Sequence, residues 1–149
     1  MISIEQLKQF ELFKSLSDDE LENVGEIAKK EQLRSDTRIF EEKSIANKLY
    51  LICGGRVVIK LRAEMGKEQL PVDTVGPGEV FGWSAVAEPH SFTAAACTLE
   101  DSEFYVINSD TLLDLFRKNN HIGYKVMKEL ASVISSRFRQ LSQKLVNSL

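Results

Sequence analysis

Cysteine is scarce in this chain of 149 residues: Cys53 and Cys97 are the only two, each inside an apolar, strand-like stretch. Two thiols so placed build no disulfide framework, and free buried thiols explain them best. Histidine is equally scarce. His90 and His121, taken with the cysteines, lack the paired close spacing of a zinc site, so no metal is expected. Neither histidine lies in a nucleophile motif, and the P-loop and dinucleotide glycine patterns are absent. The expectation is a protein that is not an enzyme. A basic excess is missing too: formal net charge is −3, which leaves no global footprint for nucleic acid. No apolar run approaches the length of a membrane span. The first residues, Met1-Ile2-Ser3-Ile4-Glu5, lack a signal peptide's basic region and apolar stretch, so a cytoplasmic location is expected.

What is present has globular proportions, 43% hydrophobic and 28% charged, enough for a real core and without a disorder signature. Residues 1–149 read as a single domain in three parts. In the first, 1–32, Ile4, Leu7, Phe10 and Phe13 suggest a short helix. A clearer one opens at Ser17-Asp18-Asp19-Glu20, where serine and a glutamate three residues on form a capping box. Leu21, Val24, Ile27 and Ala28 continue it at helical spacing, and Lys29-Lys30 suit its negative end.

From 33 to 108 the pattern changes to short extended runs at 37–40, 49–52, 56–61, 70–75, 94–99 and 104–107. Gly54-Gly55, Gly66 and Gly76-Pro77-Gly78 punctuate them, which indicates a roll, barrel or sandwich. From 109 to 149 the helical period returns. Asn108-Ser109-Asp110 offer caps for a short helix, and a long one follows Asn119-Asn120. Its stripe, Ile122, Val126, Leu130, Ile134, Phe138, Leu141 and Leu145, outruns the surface a small roll offers. A core-facing helix accounts for part of it; packing on a twin in a homodimer, over about 121–147, accounts for the rest.

One segment carries a chemical hint. Residues 75–87 run from a glycine turn through Phe81-Gly82-Trp83-Ser84-Ala85 into a stretch able to form a helical turn, and Thr93-Ala94-Ala95-Ala96 follow. Exposed backbone N–H groups there would attract an anion; a plain tight corner in a roll fits the residues equally well.

Together these pieces resemble the cyclic-nucleotide-binding domain family in its catabolite activator-like form. The residues that carry the resemblance are Phe40-Glu41-Glu42, Leu49-Tyr50-Leu51-Ile52 with Gly55-Arg56-Val57, and Gly76-Pro77-Gly78-Glu79-Val80-Phe81-Gly82. The run from Thr93-Ala94 to Leu99-Glu100-Asp101-Ser102-Glu103 and the long terminal helix complete it. The resemblance implies a mostly β fold with flanking helices: an antiparallel β-roll (jelly-roll-like), N-terminal helices and a long C-terminal helix. It also implies a phosphate-binding cassette at 81–98. Gly82 would bring a backbone amide to sugar or phosphate, Ala85 would stand at the exposed N-terminus of the short helix, and Thr93 and Ala94 would meet the phosphate. Ser84 belongs to the same pocket, and Ser142 falls near where some family dimers touch the base from the partner subunit.

Two side chains depart from the family pattern. Trp83 stands where a glutamate would accept from the ribose, and Phe92 where an arginine would pair with the phosphate. A phenyl ring in place of a guanidinium removes a charge-assisted bidentate contact, so a cyclic diester is expected to find no counter-charge in the roll. His90, beside Pro89, is the one nearby group able to replace it if protonated and turned inward. Lys43 occupies a position where the family usually has a turn glycine. The resulting expectation is a regulatory module with altered or lost affinity for cyclic AMP or cyclic GMP, acting through protein contacts. A receptor with an atypical site and a ligand-free dimerisation scaffold are the alternatives. A regulatory protein partner fits this reading, and a membrane does not. With no second three-helix pattern in the sequence, direct DNA binding is not expected either.

Overall fold

Ser17 caps the first substantial helix as its sequence predicts. In the computed structural model, which describes residues 1–149, its hydroxyl accepts from the Glu20 N–H while the Glu20 carboxylate accepts from the Ser17 N–H. That helix, α2 (Asp18–Ile27), follows a single capped turn, α1 (Ile4–Leu7), and a 3-10 turn at Glu11–Phe13. The helix stops earlier than its lysines suggest. Ala28 is already extended, and Ala28–Leu33 form β1, paired antiparallel from Ala28 opposite Ile107 to Leu33 opposite Ser102. Lys29-Lys30 therefore decorate an edge strand, where charge discourages further pairing, and do not cap a helix. The roll begins near 28 as a result, ahead of the expected 33.

The remaining strands are β2 (Arg38–Phe40), β3 (Lys48–Gly54), β4 (Val57–Arg62), β5 (Gln69–Val75), β6 (Val80–Phe81), β7 (Ala95–Thr98) and β8 (Ser102–Asn108). They form two antiparallel four-stranded sheets, ordered β1-β8-β3-β6 and β2-β7-β4-β5. This is the β-roll that the pattern of short strands and glycine turns implies. The two-residue β6, too short to leave a periodic signal, was not among the expected strands.

The central strands of the first sheet, β3 and β8, are buried on both faces, which explains their unbroken apolar runs. Tyr50, Ile52, Phe104 and Val106 pack inward with Val57, Val75, Phe81 and Ala96 of the roll interior. Their alternates Leu49, Leu51, Tyr105 and Ile107 face the opposite way, into a core shared with the N-terminal and C-terminal helices. Cys53 and Cys97 are free thiols, and burial pushes the Cys53 thiol up to about 11, away from nucleophilic chemistry at neutral pH.

Two helices close the chain, α3 (Ser109–Lys118) and α4 (Asn120–Asn147). Asn108 caps α3 by accepting from the N–H groups of Asp110 and Thr111, and Asn119 caps α4 at Ile122. Only the first half of α4 lies on the core, where Ile122, Gly123, Val126, Glu129, Leu130 and Val133 are buried; Arg137 is the one buried residue beyond it. Beyond Leu130 the buried line moves to Val133 and Arg137, while Ile134, Phe138, Leu141 and Leu145 keep exposed surface. The expected stripe therefore forks.

Candidate functional site

The cassette is built on β6. Tyr50 and Leu51 of β3 pair with Phe81 and Val80, and the chain then turns sharply at Gly82, whose φ of 79° is left-handed. A side chain there would press on the Tyr50 ring and the Lys48 carbonyl, so only glycine allows the corner. A 3-10 turn, Trp83–Ala85, follows. The return segment is held by backbone bonds: Lys43 N–H donates to Phe92 O, Phe92 N–H to Ser44 O, and Ala46 N–H to His90 O. Lys43 adopts a φ of 67°, so the left-handed turn is kept although glycine is replaced.

Between this cassette, β5 and α4 lies a cavity of 280 Å³. Its inner wall is Phe40, Ile59 and Phe81; the cassette gives Gly82, Trp83, Ser84, Phe92, Thr93 and Ala94; β5 gives Val72 and Asp73. The outer wall is α4, through Ile134, Arg137, Phe138 and Leu141.

Six of the predicted residues thus share one cavity, and three fall outside it. Ala85 is fully buried, packed with Ala46 and Phe92, and its N–H already donates to Gly82 O. The exposed amide expected there is therefore committed within the turn. His90 sits in a left-handed corner on the outside, where its Nδ1 meets the Ala85 carbonyl at 3.2 Å. A ring drawn back onto its own loop does not supply a cation to the cavity. Ser142 is half-buried, one turn beyond Phe138, and is not among the residues that line the cavity.

Phe92 is 5% exposed and stacks on Phe40 with ring centroids 3.6 Å apart and planes within 6°. The rings fill the spot where the resemblance puts an arginine. The expectation that no cation reaches the cavity needs correction, because Arg137 does so from α4. At 8% exposed, it places its guanidinium carbon 4.8 Å from the Trp83 ring centroid and its Nη2 3.5 Å from Glu79 Oε2. Burial pushes its pKa below the usual arginine value, opposed by the carboxylates of Glu79, Asp73 and Glu11. It stays a cation at neutral pH, outnumbered by acids.

Arg137 and Asp73 were missed by sequence reasoning, while Phe138, read as part of the helix stripe, was not assigned to the cavity. Arg137 alone left a signal: it continues the i, i+4, i+3, i+4 series Val126, Leu130, Val133, Arg137 along the buried face.

Against known proteins, residues 30–119 match the profile of the family described as "Cyclic nucleotide-binding domain". The cyclic AMP receptor protein of Thermus thermophilus is 24% identical over 139 residues, covering 93% of this chain and 62% of that protein. A CRP-like cAMP-activated global transcriptional regulator of Mycobacterium tuberculosis is 28% identical over 93 residues, covering 62% of this chain and 41% of its own length. The chain therefore spans less than two thirds of these curated relatives. Among solved structures, a protein from Geobacter metallireducens provisionally described as cyclic nucleotide-binding superposes with a TM-score of 0.81 at 28% identity. That match covers 93% of this chain and 99% of the other. A cyclic nucleotide-binding domain from Methylobacillus flagellatus gives a TM-score of 0.85 at 20% identity, over 98% of this chain and 82% of its own, and so shares the fold.

Proposed function

This chain belongs to the cyclic nucleotide-binding domain family, and we propose that within it the molecule is a non-enzymatic sensor whose roll pocket no longer takes a cyclic nucleotide. The observation that carries this reading is the Phe40–Phe92 stack, closed at 3.6 Å in place of a phosphate-pairing arginine. A ring pair there offers neither charge nor hydrogen bond to a diester. Arg137 does not restore the balance, because Glu79 already pairs with it and Asp73 adds a second carboxylate to the same space. Bringing a phosphate in would mean separating Arg137 from Glu79 and seating an anion beside Asp73.

The output of such a sensor is protein contact. The distal part of α4 presents Ile134, Phe138, Leu141 and Leu145 to solvent, and three of these four also form the outer wall of the cavity. A second copy of α4 packed there would cover the exposed stripe and seal the pocket in the same step. A homodimer follows from this reading, with the cytoplasm as its location and with room for a regulatory partner. No helix of the chain is long and apolar enough to cross a membrane.

A second reading, a receptor with an atypical site, draws on Arg137, since a ligand able to displace Glu79 would find a guanidinium inside the cavity. One titration separates the two. A ligand at a hundredfold over its dissociation constant stabilises by about 2.7 kcal/mol, which raises the melting temperature by roughly 5–10 °C in a chain this size. With millimolar cyclic AMP or cyclic GMP the expected rise is none; a rise of several degrees overturns the reading. The cavity of 280 Å³ argues against a purely structural scaffold, because a roll with no ligand would gain by filling it.

A further inference from the structure

One charge in the roll pocket makes no ion pair at contact distance, although it shares the space with Arg137. Asp73 lies on β5 directly opposite Ile59, so both side chains stand on the same face and both line the cavity. Its Oδ1 accepts from the Thr74 N–H at 2.9 Å, and it makes no ion pair with any lysine, arginine or histidine. Arg137, the other charged residue on the lining, is the opposite case, already held by Glu79 and by the face of Trp83. Glu79 and Asp73 together outnumber the one guanidinium, so the balance of charge around the pocket is negative.

The rest of the lining suits a cation. Phe40, Phe81, Trp83, Phe92 and Phe138 put five aromatic rings around one small space. Phe40 and Phe92 spend one face each on their stack, Phe81 one on Tyr50 and Trp83 one on Arg137; the negative quadrupole of the remaining ring surface, beside a carboxylate, favours an ammonium ion over an anionic group. At 280 Å³ the space fits a ligand of about one ring with a short substituent.

We infer that the pocket binds a small hydrophobic ammonium ion, such as a benzylic quaternary amine, with Asp73 as its counter-charge and the aromatic rings as its wall. This rests on the reading that the cavity is the sensor's ligand site and has turned away from cyclic nucleotides. Specificity would come from charge: an anion meets Asp73 and loses, while a cation gains from carboxylate and rings together.

Trp83 is the only tryptophan in the chain and lines the cavity, so its fluorescence reports occupancy directly. Benzyltrimethylammonium is titrated into the full chain, with phenylacetate and cyclic AMP in parallel. Expected are a saturable change with the ammonium and none with phenylacetate. Asp73→Asn should weaken the ammonium at least tenfold while leaving the unliganded melting temperature within a degree or two of the parent. Asp73→Glu, which keeps the charge, should recover most of the binding. The inference is overturned if the ammonium gives no saturable change, if Asp73→Asn binds it as well as the parent, or if phenylacetate binds more tightly. Failure of the ammonium with no response to cyclic AMP sinks this inference alone. A saturable response to cyclic AMP sinks the proposed function beneath it.

Discussion

The two halves of α4 are made from similar residues and do different work. Over 120–133 the helix buries Ile122, Val126, Leu130 and Val133 against the N-terminal segment and α3. Two ion pairs tie it down, Lys125 with Glu20 at 2.7 Å and Lys14 with the buried Glu129 at 3.3 Å. Over 134–147 the only buried residue is Arg137, and apolar side chains of the same kind stand in solvent, Phe138 at 69% and Leu145 at 64% exposed. Apolar spacing alone does not distinguish the halves. What separates them is the supply of surface: the proximal half has a complete core beside it, and the distal half has a cavity and then nothing of its own chain.

Truncating a leucine in each half is the sharpest way to test that division. Leu130→Ala removes a side chain from the shared core and should cost about 3 kcal/mol by urea denaturation. Leu145→Ala, at 64% exposure, should change the stability of the monomer by less than about 0.5 kcal/mol. Equal costs would erase the distinction.

Next in size is the anchor of the proximal half. The Lys125 ammonium, followed by the Ser17 backbone N–H, holds the Glu20 carboxyl at about 2 against an ordinary 4.5. A carboxylate depressed in the folded state contributes its full stability above the unfolded value and loses it as pH falls from about 4.5 toward about 2. Glu20→Gln keeps a side chain able to complete the capping box but loses the ion pair, so it should cost about 2 kcal/mol near neutral pH. The gap between parent and variant should close steadily below pH 4.5 and vanish near pH 2. A gap independent of pH would place the effect in packing instead of charge.

The β-roll was legible because its residues obey local rules that tertiary contacts did not override. Gly82, the Ser17–Glu20 box and the Asn108 and Asn119 caps stand in the structure where their chemistry demands. β1 was not, since Ala28 to Lys30 satisfy a helix end and an edge strand alike, and only pairing with β8 decides between them. The inner wall of the cavity was legible in the same way, through the cassette. Its outer wall was not: Asp73 and Arg137 come from β5 and α4, 64 residues apart in sequence, and meet only once the roll is closed. The exchange of arginine for Phe92 could be read in advance, but Phe40 as its stacking partner could not.

The distal half makes the third prediction, at the level of association. Phe138→Glu puts a charge on the exposed stripe, so it should leave monomer stability within about 0.5 kcal/mol. Self-association, read by sedimentation across concentrations, should weaken at least tenfold. A parent chain that stays monomeric at every concentration would assign the stripe to a different partner and break the homodimer reading.

The smallest effect sits at the joint between the halves. Arg137 is the last buried residue of α4, and its guanidinium bridges the helix to the cassette through Trp83 and to the β5–β6 turn through Glu79. Desolvation offsets much of what the ion pair gains, and Glu79 keeps contact with water, so the cation–π contact is the part that should survive measurement. A double-mutant cycle of Arg137→Met and Trp83→Leu isolates it, because each replacement leaves an apolar side chain while removing one partner, and the cycle cancels the packing cost of each single change. The expected coupling is about 0.5–1 kcal/mol. A coupling of zero would mean that the helix rests on the cassette by packing alone, and that occupancy of the cavity has no polar contact through which to reach the distal half. Coupling in the expected range instead makes Arg137 the residue through which a ligand beside Trp83 can bias where that half of α4 lies.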